Sequence, residues 1–64
     1  MSTIIEKEVA RNAMQDGLKK LYEAGKLLED TPKVRGDKIP PLLRAMGKDI
    51  SALADNSLQL LTLL

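Results

Sequence analysis

The chain has 64 residues, ten Lys and Arg against nine Asp and Glu, a net charge of +1, a single aromatic residue and no Cys, His, Trp or Phe. That inventory excludes a zinc finger, a thiol nucleophile, a Ser-His-Asp triad and a disulfide framework. The near balance of charge argues against a polybasic tail for nucleic acid or membrane.

A domain this short rarely stands on one core and leans on disulfides, metals or oligomerisation. With thiol and imidazole ligands absent, oligomerisation or unusually good helix packing remains. The core must be aliphatic.

The first expected element is an amphipathic helix over about residues 3–29. Thr3 and Glu6 have the spacing of a capping box, with Thr3 as N-cap. At 100° per residue, Ile4, Ala10, Met14, Leu18, Leu21, Tyr22, Gly25 and Leu28 share one face. Glu8, Asn12, Gln15, Asp16, Lys19, Glu23 and Lys26 share the other. The phase holds through Asp16-Gly17, so no break is placed there. Ile5, Val9, Ala13 and Leu27 widen the apolar stripe beyond the usual ~100°, which is more than one partner helix covers. Ala10, Ala13, Gly17, Ala24 and Gly25 interrupt it with small residues, a pattern that suits close approach of another helix or a ligand. Asp16 and Lys20 are spaced for a solvated i,i+4 ion pair.

Asp30-Thr31-Pro32 ends the helix, because the residue before proline is driven out of the α region. A linker over residues 30–39 follows. Lys33, Arg35 and Lys38 cluster around Gly36 just before a helix N-terminus, where backbone N–H groups and cations favour an anion. Arg44 lies one turn further on. Pro40 and Pro41 remove two donors from that terminus, and Asp37 dilutes the field. Arg35-Gly36-Asp37 also spells the tripeptide read by integrins, a short match that we read as coincidence.

A second helix is expected over about residues 40–63, with proline tolerated in its first turn. A heptad-like seam runs along it: Ile39, Leu43, Met46, Ile50, Leu53, Ser57, Leu60, Leu64. Gly47 is a candidate kink, and the unbroken phase favours one helix. No charge follows Asp55, and leucines spread around the C-terminal end. Such an end is normally buried by something.

The expected fold is therefore all-α: a single domain, residues 1–64, forming an antiparallel helical hairpin. Surplus apolar surface predicts assembly into a homo-oligomeric bundle, most simply a four-helix dimer. Met46, Ile50, Leu53, Leu60, Leu61 and Leu64 are its expected interface.

For function, the sequence points away from catalysis, metals and cofactors. Its carboxylates and lysines are spaced for solvated helix surfaces, and no His is present to partner a Ser or Thr. The expected role is a stoichiometric binder, a regulator, inhibitor or sequestering protein in the cytoplasm, since no secretory signal or membrane span is visible. Beside a second copy of itself, its expected partner is a protein or a small anionic, nucleotide-like ligand. Lys33, Arg35, Gly36, Lys38 and Arg44 would hold such a ligand, with Tyr22 stacking on it and Lys19 or Lys26 reaching a phosphate. The alternatives are an RNA- or DNA-binding four-helix-bundle regulator and a structural assembly subunit.

Overall fold

Two helices form, for reasons the residue order makes plain. The computed structural model describes the backbone of residues 3–63 and the side chains of residues 5–63. Helix α1 spans Thr3–Glu29 and helix α2 spans Ile39–Leu61. The expected Thr3–Glu6 cap falls on a Thr3 side chain outside the described residues, as does Leu64. At the other end of α1, Thr31 closes the last turn. Its amide donates to the Leu28 carbonyl at 3.1 Å, and its hydroxyl donates to the same oxygen at 2.6 Å. Pro32 then has no N–H with which to continue the helix. Helix α2 ends similarly, with the Thr62 hydroxyl donating to Gln59 O at 2.6 Å. Its end comes two residues earlier than the leucine run suggested.

Neither helix breaks at an internal glycine. The three helical glycines nevertheless differ. A Cβ on Gly17 would meet nothing within 4 Å. One on Gly25 would stand 2.7 Å from the Ser51 amide nitrogen and 2.8 Å from the Gly47 carbonyl oxygen. One on Gly47 would stand 2.5 Å from the Gly25 carbonyl oxygen and 2.7 Å from the Glu29 nitrogen. The two backbones therefore touch at Gly25 and Gly47.

That contact fixes the hairpin seam. On α2 the buried residues are Pro40, Gly47, Ser51, Ala54 and Leu61. Pro40, Gly47, Ala54 and Leu61 recur every seven residues, the repeat of a coiled-coil stripe. The buried Ser51 hydroxyl bonds within its own helix, to the Lys48 carbonyl at 3.1 Å. It thus enters the seam without needing a partner across it.

The large apolar side chains of the expected α2 seam do not lie here. Ile39, Met46, Leu53 and Leu60 are all more than half exposed, and Leu43 and Ile50 only flank the seam. Leu61, expected at an interface between copies, is instead buried against α1. The physical reason is that small residues allow the closest backbone approach, so they take the centre and rotate the large ones outward.

The molecule is a slab one helix thick, with Cα extents of 59 × 16 × 11 Å. Its length exceeds the roughly 40 Å of a 27-residue helix, because the helices are staggered. Arg11 and Met14 lie level with Leu61, and Glu29 lies level with Gly47. Roughly two to three turns of α1 run past the end of α2, and about two turns of α2 run past the end of α1. Apolar burial is correspondingly thin. Among the described residues, Ala54 and Leu61 are the buried hydrophobic ones of the core.

Replacing Gly25 or Gly47 with Ala is expected to cost about 1–3 kcal/mol through overpacking of backbone against backbone. Gly17→Ala should instead stabilise by up to ~1 kcal/mol, from helix propensity alone. Thermal melts followed by circular dichroism check this, and similar behaviour of all three variants would contradict the crossing point.

Candidate functional site

The two sides of the slab differ in chemistry. Along one side, Tyr22, Lys26 and Glu29 of α1 share a groove of about 300 Å³ with Lys48, Ser51, Ala52 and Asp55 of α2. An adjoining groove of about 340 Å³ is lined by Glu29, Arg44, Ala45 and Lys48. Further along the same side, Arg11 and Gln15 meet Leu58, Leu61 and Thr62. At 100° per residue, Lys19 and Glu23 continue this flank on α1 and Gln59 continues it on α2.

The opposite side carries the other flank of each helix. On α1 it runs through Ala10, Met14, Gly17, Leu21, Ala24 and Leu28. On α2 it runs through Ile39, Leu42, Met46, Leu53 and Leu60. Met14, Leu21, Met46, Leu53 and Leu60 are all exposed there. A cleft of about 140 Å³ lined by Ala10, Met14 and Leu61 and bordered by Lys7 and Arg11 marks where the two flanks meet. The hairpin thus presents one polar side and one continuous apolar side.

On the polar side, Lys26 is the organising cation. Its ammonium pairs with Glu29 at 3.1 Å and lies 5.3 Å from the centre of the Tyr22 ring, within cation–π range. The Glu29 carboxylate, first by hydrogen bonding and then by charge, holds Lys26 above the usual lysine range. Arg44 and Lys48 follow at i,i+4 on α2, Arg44 half-buried and Lys48 exposed. Neither makes an ion pair among the described residues. The expected Asp16–Lys20 pair forms at 3.3 Å with both side chains exposed, a geometry worth a few tenths of a kcal/mol.

The structure divides the expected ligand residues into two groups. Tyr22, Lys26 and Arg44 come to adjoining grooves on one side, joined by Lys48, Glu29 and Asp55, which the sequence reading left out. Lys48 was legible as the residue one turn after Arg44. Glu29 was not, because its place depends on the height of one helix against the other. Lys33, Arg35 and Lys38 stay on the exposed linker, and Lys19 is exposed on the polar flank of α1.

The linker has its own structure. The Asp37 amide donates to the Val34 carbonyl at 3.0 Å, closing a turn. Gly36 occupies the left-handed region at φ 81°, which glycine enters without steric cost. The Asp37 carboxylate then accepts the Ile39 amide at 2.9 Å. This capping contact takes the first N–H of α2, and Pro40 and Pro41 have none to offer. At this terminus the chain's own carboxylate therefore faces the first N–H of α2. Asp37 is likewise engaged in capping rather than free at the tip of the Arg-Gly-Asp turn.

Among the described residues, no three acidic side chains gather closely enough to hold a metal ion, and no helix is long and apolar enough to cross a membrane. No family model, curated protein or solved structure matches the chain.

Asp37→Ala is expected to lower stability by no more than about 1 kcal/mol through loss of one exposed hydrogen bond, measured by denaturant unfolding. A second expectation concerns alkaline pH. Lys26 is raised in the folded chain, so its pairing with Glu29 stabilises at and below the ordinary lysine range and is lost as pH rises through the raised value. Helicity of the wild-type chain should therefore fall more steeply in strong alkali than that of Lys26→Gln. Parallel curves for the two would count against the pairing.

Proposed function

We propose that the chain is a non-enzymatic interaction module, a helical hairpin that assembles into a homo-oligomeric bundle and acts by stoichiometric binding. It would regulate, inhibit or sequester a partner in the cytoplasm, with its polar side turned outward. The observation that carries this reading is the exposed apolar side, which runs along both helices opposite a polar one. Burying an apolar side chain such as Leu or Met stabilises by roughly 1.5–3 kcal/mol. A chain with so thin a core gains more from covering that side than from any interaction within the hairpin.

A second reading has its own support. Lys26, Arg44 and Lys48 border adjoining grooves with Tyr22, against the carboxylates of Glu29 and Asp55. This excess of one cation, beside an aromatic ring, suits a small anionic, nucleotide-like ligand held on the outer surface of the assembly. It moves the ligand site away from Lys33, Arg35 and Lys38. An RNA- or DNA-binding regulator would use the same cations, and its affinity would fall steeply with salt. A structural subunit would need the apolar side alone.

The test is the mass of the protein in solution. Leu53→Asp with Leu60→Asp should lower the mass by light scattering and reduce thermal stability, whereas Lys33→Gln, Arg35→Gln and Lys38→Gln together should change neither. An assembly indifferent to the two leucines would overturn the reading. Arg44→Gln with Lys48→Gln should preserve the assembly and abolish any nucleotide binding found by calorimetry.

A further inference from the structure

We infer that the apolar side is covered by one second copy of this chain, related by a two-fold axis that runs along the helices. Helix α1 then packs on the partner's α2, and both linkers lie at the same end. This inference rests on the bundle reading above and adds its stoichiometry and geometry.

Area argues for a single second copy. The chain exposes 5345 Å², whereas a compact monomer of 7.0 kDa would expose about 4,000 Å². Covering the excess on each of two copies buries on the order of 2,600 Å² in total, within the range of obligate homodimers. The slab is one helix thick and only one of its sides is apolar. Two slabs laid face to face leave polar sides outward on both, so the assembly closes at four helices.

The direction of the axis follows from the stagger. Within the hairpin Leu28 stands level with Gly47, Gly25 with Ser51, and Met14 with Leu61. An axis along the helices preserves these heights between copies. Leu28, Leu21 and Met14 then stand level with the partner's Met46, the partner's Leu53 and the partner's Leu60. The small residues Gly17 and Ala24 stand level with the partner's Ser57 and the partner's Ile50, so layers of differing bulk interleave.

Beyond the end of α1, Ile39 and Leu42 of each α2 are exposed and meet their own counterparts across the axis. An axis perpendicular to the helices would separate them from their counterparts by the length of the hairpin. Charge points the other way. Residues 30–44 carry four cations (Lys33, Arg35, Lys38, Arg44) and two anions (Asp30, Asp37), a net +2 at each linker end. Those charges sit on exposed linkers, and at physiological salt they are screened over about 8 Å. Apolar burial decides the orientation.

The experiment uses the absence of cysteine. Lys33→Cys places one spin label on each exposed linker, away from both helix packing and the apolar side. Light scattering across concentration should give twice the 7.0 kDa chain mass. Electron–electron distance measurements should then place the labels on the order of 20–30 Å apart, two or three interhelix spacings. A dimer with labels separated by about the 59 Å length of the hairpin would overturn the orientation and leave the bundle reading intact. A trimer or larger ring would overturn the stoichiometry alone. A folded monomer at every concentration would overturn both, and would leave the apolar side to a different protein or to lipid.

Discussion

Everything in this hairpin depends on the contact of two backbones at Gly25 and Gly47. Helix axes normally stay 8–10 Å apart because side chains intervene. Here neither residue has a side chain, and Ser51 and Ala54 continue the narrow strip on α2. The centre of the seam is consequently made of the smallest residues in the chain. Large apolar side chains have no room there and are turned to its flank. The same contact that joins the helices thus leaves most of the hydrophobic surface outside the hairpin, on one side.

Much of this was legible in the residue order, and the gaps have identifiable causes. The bounds of α1, its termination at Thr31-Pro32, the Asp16–Lys20 pair and the αα layout all follow from local chemistry: phase, proline geometry and i,i+4 spacing. The seam was not legible. Periodicity tells which residues share a face, but an apolar stripe wider than one helix can cover leaves open which part of it meets the neighbour. The bulky stripe of Met46, Leu53 and Leu60, expected between copies, is exposed in the single chain, whereas close approach within the hairpin selects Gly47, Ser51 and Ala54. Gly25 carried the needed signal, as a small residue inside an apolar stripe. Gly17 carried the same signal and has open space beside it, so the signal alone did not discriminate.

The candidate ligand residues show a similar division. Arg44 and Lys48 share a flank by spacing, and Tyr22 and Lys26 do so by the same rule. That the two pairs border adjoining grooves depends on the relative height of the helices, a long-range property. The linker holds a contact that charge counting does not show. Asp37 weakens the positive field of the linker, and its carboxylate also accepts the first amide of α2. Polar and apolar functions are consequently segregated: cations and the tyrosine on one side, aliphatic surface on the other, and a self-capped turn between the helices.

The paired glycines also act on the register of the two helices. The α2 seam repeats every seven residues, so sliding α2 by one heptad would still offer a buried stripe of the correct phase. Such a slip would bring Pro40 or Ala54 to the place of Gly47. Each carries a Cβ where the Gly25 carbonyl and the Glu29 amide leave no space. The glycine notch is thus a key cut for a single position in a repeat that would otherwise allow several. It lets two smooth helices choose one alignment without a buried charge or a hydrogen bond between them among the described residues.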